Sequence, residues 1–414
     1  MAASAIKTAP ISWANRMINA LKNKQFQLYF FGAFFAVQAI WIQRVTLAWL
    51  AWERSGSAGF VGVVAGLSLA PALIAGPVFG VIADRVDIRR AAQASTGAMM
   101  ATLFCLAATA PMIGPIGIAV AATVIGCVSS AHHPVRMSLG PRLVPQPLVP
   151  YVVAAQALNF NIARLVAPAL TGLSIAVLGA GTTLWVAVVA LVPMQTVLLR
   201  LKPRALPPRP KRSISTDMAE AFAHIRDTPG IRLAFLLTII FGTVTRGALE
   251  LLPVLADGVF ERGATGLGVL TGVVGAGAVV TAALRAIAAG EISADVPNSV
   301  KVAGAGALLA LIAMGLAPSW GSLLVFTAIA GAMATWCGVS LQAVIQSGLA
   351  DEMRGRVMSF WVVVGFGMVA VGAFAIGGLA EVVGIGPALV LAGFCGLLAQ
   401  LWVLFGGAVR RVTP

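Results

Sequence analysis

Residues 386–408 read GPALVLAGFCGLLAQLWVLFGGA, a stretch that contains no charged side chain. A helix rises about 1.5 Å per residue, so about 20 apolar residues cross a hydrocarbon layer roughly 30 Å thick. This stretch is therefore long enough to span a membrane. Together with eleven similar stretches it predicts twelve spanning helices, at 25–52, 58–83, 91–112, 116–134, 151–178, 182–201, 233–256, 266–289, 300–317, 322–349, 357–381 and 386–408.

The composition of the whole chain agrees with this prediction. Of its 414 residues, 59% are hydrophobic and 10% are charged, and the mean hydropathy is +0.95. Soluble globular domains carry about 25% charged residues, so a soluble fold is excluded. The runs are continuously apolar, whereas strands of a membrane barrel alternate apolar and polar residues over about ten positions. The expected fold class is an all-α membrane protein.

The sequence offers little material for metal or enzyme chemistry. Disulfide frameworks and metal sites need clustered cysteines or histidines, and a nucleotide-driven pump needs a glycine-rich phosphate loop. The sequence contains neither such a loop nor a catalytic triad, so we expect no metal, no cofactor and no enzyme activity. The cysteines stand singly in separate apolar runs, with no CxxC pair, at Cys105, Cys127, Cys337 and Cys395.

The net charge of +14 is distributed unevenly between the predicted loops. If the chain begins in the cytoplasm, 22 of the 28 Lys and Arg lie on that side, and the loops on the other side hold only Arg54 and Arg262. Such an excess of cations in cytoplasmic loops orients multi-pass proteins. The pattern predicts a protein of a bacterial-type inner membrane with both termini in the cytoplasm. It accounts for the basic excess without nucleic-acid binding.

A polar stretch divides the chain into two nearly equal parts. It begins with a basic, proline-rich segment, and Asp217 followed by Glu220 resembles a helix-capping arrangement, which predicts a surface helix over 218–227. Two six-helix halves with a substrate site near their interface are a standard transporter layout. The predicted parts are a cytoplasmic segment 1–24, a six-helix half 25–201, a cytoplasmic linker 202–232, a six-helix half 233–408 and a cytoplasmic tail 409–414.

The loop GVIADRVDIRR (80–90) resembles the signature of the major facilitator superfamily, in which a glycine precedes Asp-Arg and a basic pair. Asp87 stands where a glycine is common in that family. A finer resemblance covers nearly the whole chain, to the transmembrane secretion effector branch with its enterobactin-exporter-like and macrolide-efflux-like members. It is carried by this loop and by WIQRVTLAWLAWERSGSA (41–58), NIARLVAPALTG (161–172), ELLPVLADGVF (250–260) and DEMRGRVMS (351–359).

The resemblance implies that the 80–90 loop is a conformational gate. A charged turn of this kind pairs with the opposite half when the cytoplasmic side is closed. The expected partner of Asp84 is Arg136, or alternatively the start of the eleventh helix near Arg354 and Arg356. A second interpretation is that the arginines serve only to orient the chain in the membrane. The gate residues are Gly80, Asp84, Arg85, Arg89, Arg90 and Arg136.

Charged residues within the spans give the strongest indication of a functional site, because ionisable groups in lipid are costly and usually face a cavity or a partner. Arg246 and Glu250 stand at positions i and i+4 of the seventh span, so we expect them to pair on one helix face. Glu250 is the one carboxylate well inside a span and is therefore our candidate for proton coupling. Arg44 lies at a similar depth on the first span. The alternative is a pair that only neutralises itself and fixes the rotation of the helix.

Three further residues complete the predicted cavity. Arg164 lies midway along the fifth span, close to Asn159, and either contacts an anionic substrate or bridges backbone carbonyls freed by Pro168. Trp336 lies deep enough in its span to touch a ligand. The intramembrane arginines outnumber the carboxylate, which favours an anionic or oxygen-rich amphiphile.

The sequence therefore predicts a secondary active transporter that works by alternating access. We expect a proton-coupled exporter of a small amphiphilic, siderophore-like molecule that acts as a monomer in the lipid bilayer, with protons and the substrate as its partners. The alternatives are broad efflux of hydrophobic drugs such as macrolides, an importer, and a membrane scaffold or sensor without transport. An expensive titratable group in lipid argues against the scaffold.

Overall fold

The computed structural model describes residues 22–73, 86–204, 214–287, 295–347, 349 and 351–405. Within these residues the chain forms helices and turns, without a strand. Ten of the helices are long and apolar enough to cross a membrane. The predicted all-α membrane fold is therefore confirmed.

The N-terminal half begins at Asn23, whose side chain accepts hydrogen bonds from the backbone N–H groups of Gln25 and Phe26. This cap satisfies donors that have no partner within the first turn of a helix. Ser57 caps the second helix in the same way, and Asp87 caps the third. The helices of this half are α1 (Lys24–Ser55), α2 (Ala58–Leu69), α3 (Ile88–Thr109), α4 (Pro115–Leu139) and α5 (Val149–Leu198).

Helix α5 crosses the membrane twice, because it turns back on itself at Gly179. That residue has φ 80° and ψ 162°, a conformation that glycine adopts without steric cost. The bend falls between the predicted fifth and sixth spans, 151–178 and 182–201.

The C-terminal half follows a linker helix, α6 (Ile214–Asp227). This helix begins one turn before the stretch 218–227 for which the sequence predicts a helix. The spans of this half are α7 (Pro229–Phe241, continued by irregular turns to residue 259), α8 (Gly263–Ile287), α9 (Asn298–Gly315), α10 (Trp320–Ser347), α11 (Asp351–Val383) and α12 (Ile385–Phe405).

The predicted number of twelve spans is confirmed on these helices. The ten long helices include the doubled helix α5, which supplies two crossings. The shorter apolar helix Ala58–Leu73 occupies the predicted second span. The described residues thus form two halves of six spans each.

The two halves meet along two lines of small residues. Gly172 of α5 faces α8, where a Cβ on it would lie 2.5 Å from the carbonyl oxygen of Ala264 and 2.7 Å from the Cα of Gly268. Gly377 of α11 faces α2, where a Cβ would lie 2.8 Å from the carbonyl oxygen of Ala58. Without a hydrophobic driving force in lipid, helices associate through such close backbone packing.

The two ends of the helix bundle are identified by contacts between distant parts of the chain. The backbone N–H of Lys202 donates to Oε1 of Gln25 (2.9 Å), so the linker and the start of α1 share one end, called here the linker end. At the other end, called the far end, Arg54 donates to the carbonyl oxygen of Ala110 (2.9 Å). The contact between Lys202 and Gln25 agrees with an even number of crossings in the N-terminal half.

We expect the substitution Gly377→Val to destabilise the protein by about 1–3 kcal/mol, because the new side chain would collide with the backbone of α2. Gly378→Val is the matched control, since a Cβ at Gly378 would meet no atom within 4 Å. Thermal unfolding of the detergent-solubilised variants, followed by circular dichroism, compares the two. Equal melting temperatures would contradict close packing at this line.

Candidate functional site

The seventh span is irregular where its charged residues lie. After α7, residues Gly242–Arg246 form a π-helical turn, Gly247–Leu249 return to α-helical geometry, and Val254–Val259 form a second π-helical turn. Pro253 before the second turn has no N–H to donate. Such π-turns inside membrane helices redirect side chains and are frequent at functional sites.

A close helix contact accompanies this irregular backbone. A Cβ on Gly247 would lie 2.7 Å from the Cα of Gly372 on α11, so the seventh and eleventh spans approach without side chains between them. Gly242 also faces α11, where a Cβ would lie 3.2 Å from Met368 Cβ. The backbone on either side of Arg246 is thereby packed closely against α11.

The ion pair at the centre of the molecule joins the two halves. Arg44 on α1 donates through Nη2 to Oε1 of Glu250. The predicted pair within the seventh span, between Arg246 and Glu250, is wrong. The expected i, i+4 geometry requires a regular α-helix, whereas the backbone N–H of Glu250 donates to the carbonyl oxygen of Gly247 (3.2 Å) and Glu250 is the C-cap residue of the short helical turn.

The ion pair has one partly open and one enclosed member. The side chain of Arg44 is 39% exposed and that of Glu250 is 16% exposed, so Arg44 is the one accessible to a ligand that enters between the halves. Its guanidinium lies over the ring of Trp41, 5.7 Å from the centroid. Trp41 in turn packs against Phe160, with 5.8 Å between the ring centroids. The indole ring beneath the guanidinium of Arg44 is therefore held in place and can make a cation–π contact.

Arg246 lines a small cavity of about 20 Å³ between α7, α10 and α11. Among the described residues no acceptor lies within hydrogen-bond distance of its guanidinium. It lies within electrostatic range of Arg44 and Glu250. The cavity is lined by Thr238, Phe241, Gly242, Arg246, Gly338, Leu341, Trp361 and Gly365.

Arg164 reaches across the interface to the other half. Its Nη2 lies 3.4 Å from Oγ1 of Thr335 on α10, and the guanidinium feels the positive charges of Arg246 and Arg44. One of the two predicted roles of Arg164 is a bridge to backbone carbonyls freed by Pro168. Among the described residues its guanidinium makes no hydrogen bond of that kind. The role in contacting an anion stays a prediction.

Asn159 and Trp336 have different surroundings in the structure. Asn159 is 2% exposed, and its Oδ1 has no hydrogen-bond partner among the described residues. Trp336 lies under the guanidinium of Arg285, 5.2 Å from the ring centroid. The indole N–H of Trp336 is also unpaired within the described part of the chain.

Trp361 is a cavity residue that the sequence analysis did not single out. It lines the same cavity as Arg246, and its buried indole N–H has no acceptor among the described residues. Its position in a continuously apolar run gives no sign of this role. The role of Trp361 follows from the approach of the eleventh span to the seventh. The sequence alone does not show which spans are neighbours.

The charges of the site do not balance. Arg44, Arg164 and Arg246 come together at mid-depth from α1, α5 and the seventh span, with Glu250 as their carboxylate. Glu250 pairs with Arg44, and the two other guanidinium groups have no carboxylate within ion-pair distance in the described ranges. The arrangement leaves two cationic groups available to a ligand.

The predicted cytoplasmic gate is only partly described. Gly80, Asp84 and Arg85 lie outside the described residues, so their pairing stays a prediction. Arg136 is 4% exposed, and Tyr29 donates to its carbonyl oxygen (2.9 Å).

The other basic residues of the predicted gate region contact their own half. Arg89 lies 3.4 Å from the carbonyl oxygen of Leu201, and the backbone N–H of Arg90 donates to Oδ1 of Asp87 (2.9 Å). Arg356, a predicted alternative partner of Asp84, pairs with Glu220 on the linker helix α6.

Two carboxylates close the far end of the molecule. Glu381 on α11 accepts hydrogen bonds from Ser57 Oγ (2.8 Å) and from the backbone N–H of Gly59 (2.9 Å) at the start of α2. Asp257 accepts from Nε1 of Trp52 on α1 (2.8 Å). Both contacts join the two halves, so this structure is closed at its far end.

The comparisons with known sequences agree with the resemblance found in the motifs. The family model of transmembrane secretion effectors matches residues 16–413. The Multidrug efflux pump Tap of Mycobacterium tuberculosis is 27% identical over 352 residues, which cover 80% of this chain and 81% of that protein. The Staphyloferrin A transporter of Staphylococcus aureus is 28% identical over 159 residues, or 37% of this chain and 40% of that protein.

Solved structures share the fold at low sequence identity. The nucleoside transporter NupG superposes with a TM-score of 0.73 at 12% identity, covering 94% of this chain and 100% of that chain. A bacterial homologue of the human lysosomal transporter Spinster, in an inward-facing and unoccupied conformation, gives a TM-score of 0.72 at 14% identity over 94% of this chain and 98% of that one.

A double-mutant cycle tests the pair between Arg44 and Glu250. We expect Arg44→Gln and Glu250→Gln to couple by about 0.5–3 kcal/mol, because either change alone removes the same attraction. Glu250→Gln should be the more destabilising, since it leaves three guanidinium groups without a carboxylate. Free energies of unfolding come from denaturant titration of the purified protein in micelles.

Arg54→Gln combined with Glu250→Gln is the control pair for this cycle. Arg54 contacts carbonyl groups at the far end, so its effect should add to that of Glu250→Gln within about 0.5 kcal/mol. Additive effects for the Arg44 pair as well would show that the ion pair contributes no stability.

Proposed function

The chain belongs to the transmembrane secretion effector family of the major facilitator superfamily, and from this membership we propose that it is a proton-coupled exporter of a small amphiphilic molecule that carries an anionic group. Its relatives are transporters, and it is a multi-pass membrane protein that transports small molecules. The finer parts of the proposal are the direction, the coupling ion and the charge of the substrate.

The observation that supports the proposal best is the ion pair between Arg44 and Glu250, because it joins the halves that alternating access must separate. A transporter of this layout exposes its central site first to one side and then to the other by rocking its halves. Opening the far end would pull α1 away from the seventh span. Neutralising Glu250 by a proton removes the Coulomb attraction and makes that separation easier.

We propose the direction in which the proton moves. With the far end open, Glu250 is separated from Arg44 and is accessible to protons from the far side. When the far end closes, Arg44 returns and the proton leaves toward the linker end. One proton thus moves from the far side to the linker side while the substrate moves outward.

The cationic surplus of the site supports an anionic substrate group. A substrate anion offers Arg44 an alternative partner to Glu250, and Arg164 and Arg246 add further positive potential. The cavity walls beside Arg246 include Phe241 and Leu341, which suit the apolar part of an amphiphile. The relative named as a staphyloferrin A transporter gives a second, independent line of support.

The distribution of positive charge supports the orientation. The linker end holds the basic loops, so we place it and both termini in the cytoplasm of a bacterial-type inner membrane. Each chain contains a complete pair of halves with its own central site, which supports a transporter that works as a monomer.

A second candidate function is broad efflux of hydrophobic compounds. The relative named as a multidrug efflux pump covers 80% of the chain. Trp41, Phe160 and Trp361 give the site several aromatic surfaces, and such surfaces accept varied apolar ligands. Transport of a neutral ligand without preference for anions would favour this candidate.

Reconstitution into liposomes that contain a pH-sensitive dye tests the coupling. We expect an imposed pH gradient to produce ligand-dependent proton flux with 2,3-dihydroxybenzoate, an anionic probe, and a macrolide serves as the probe for broad efflux. Glu250→Gln should abolish this flux, because the amide cannot bind and release the proton. Glu53→Gln, which removes an exposed carboxylate of the same helix as Arg44, should leave it intact.

Two results would contradict the proposal in different ways. Flux that persists in Glu250→Gln would move the coupling group elsewhere in the chain. Ligand transport without any proton flux would leave a transporter driven by another gradient.

A further inference from the structure

We propose that Arg164 and Arg246 together form a receptor for a doubly charged anionic group, such as a phosphate monoester, at the head of the transported molecule. This inference rests on the proposed function and deepens it, since it assigns the substrate class from the charge and the geometry of the site. The three observations that carry it are the charge imbalance, the cavity beside Arg246, and the unpaired donors around that cavity.

Two guanidinium groups of the site have no carboxylate partner among the described residues, so we expect the ligand to carry two negative charges. The pair of Arg44 with Glu250 is neutral as a unit. Arg164 makes one long contact, 3.4 Å to the hydroxyl of Thr335, and Arg246 has no acceptor among the described residues. The positive charges of Arg164 and Arg246 repel each other. A dianion bound between them would add an attraction to each guanidinium.

The positions of the two arginines allow them to act on one group. Arg164 comes from the N-terminal half and contacts Thr335 on α10. Gly338, one helical turn further along α10, lines the cavity into which Arg246 also faces. Arg164 and Arg246 therefore approach the same part of α10 from opposite halves.

The walls of the cavity suit a ligand, and the space between them is small in this structure, about 20 Å³. A phosphate group therefore enters when these walls move apart, as the rocking of the halves in alternating access allows. Gly338 and Gly365 in its walls have no atom within 4 Å of where a Cβ would stand, so the space beside them is open. Phe241 and Leu341 contribute apolar side chains to the walls of the same cavity.

The unpaired donors match an oxygen-rich anion. Arg246 presents a planar fork of N–H donors that suits phosphate and carboxylate oxygens. The indole N–H of Trp361 lies in the wall of the same cavity and has no acceptor in the described part of the chain. A buried donor without an acceptor is costly, and a phosphate oxygen would satisfy it.

Isothermal titration calorimetry of the purified full-length protein tests the inference with two probes of nearly equal size. Phenyl phosphate is a dianion at pH 8, because its second pKa is about 6, whereas methyl phenyl phosphate keeps a single negative charge. We expect the wild-type protein to bind phenyl phosphate about tenfold more tightly.

Single-residue variants test which side chains cause the preference for phenyl phosphate. Arg164→Gln and Arg246→Gln should each bring the affinity for phenyl phosphate close to that for methyl phenyl phosphate. Arg262→Gln, which removes an arginine stacked on Trp320 away from the site, should keep the full preference. Trp361→Phe preserves the ring and removes the N–H donor, and it should weaken binding of both probes severalfold.

Folding of each variant is checked by size-exclusion chromatography. If Arg246→Gln does not fold, Arg246→Lys keeps the charge and loses the fork of donors, so it should retain a reduced preference for the dianion. Equal wild-type affinities for the two probes, no binding at millimolar concentration, or a preference that survives in both arginine variants would overturn the inference.

The results distinguish a failure of the dianion receptor from a failure of the proposed function. Proton-coupled transport of a ligand together with equal affinities for the two probes would remove the dianion receptor and leave the exporter. Selective binding of phenyl phosphate without proton flux in liposomes would keep the receptor and remove the proton coupling.

Discussion

A carboxylate in the hydrocarbon core of a membrane needs a cation beside it, and Glu250 takes that cation from the opposite half of the molecule. The pair with Arg44 therefore links the charge state of one side chain to the separation of the two halves. On the irregular seventh span, Glu250 contacts Arg44 of α1, whereas Arg246 lines a separate cavity. One carboxylate thus controls the interface while a second cation remains free for a ligand.

The packing between the halves suits this control. Gly172 against α8 and Gly377 against α2 bring backbones together without interlocking side chains, so the halves can move over each other at low cost. The contacts that hold the far end closed are individual polar groups, with Glu381 at the start of α2 and Asp257 on Trp52. The two halves are thus joined by lines of small residues and by a few polar contacts. A single ion pair can then shift the equilibrium between the closed and the open far end measurably.

The sequence was sufficient to predict the spans, because hydrophobic length is a local property, and the bend at Gly179 fell where two spans were expected. It identified Arg44, Arg246 and Glu250 as a group, but assigned the wrong partner to Glu250, because spacing along one helix cannot show which side chain of the opposite half reaches Glu250. Trp361 was missed since its role depends on the approach of two distant spans. The proposed gate at Asp84 stays a prediction from the motif, as that residue lies outside the described ranges.

We propose that the pair of Arg44 and Glu250 holds the two halves together at the far end. Its most direct test is a spin-label distance measured by pulsed electron resonance between Met112 and Val382, two exposed positions at the far end of opposite halves, after replacement of the native cysteines. We expect a short distance in the wild-type background at neutral pH and a substantial population of longer distances in the Glu250→Gln background. The same short distance in both backgrounds would show that the far end stays closed without this ion pair.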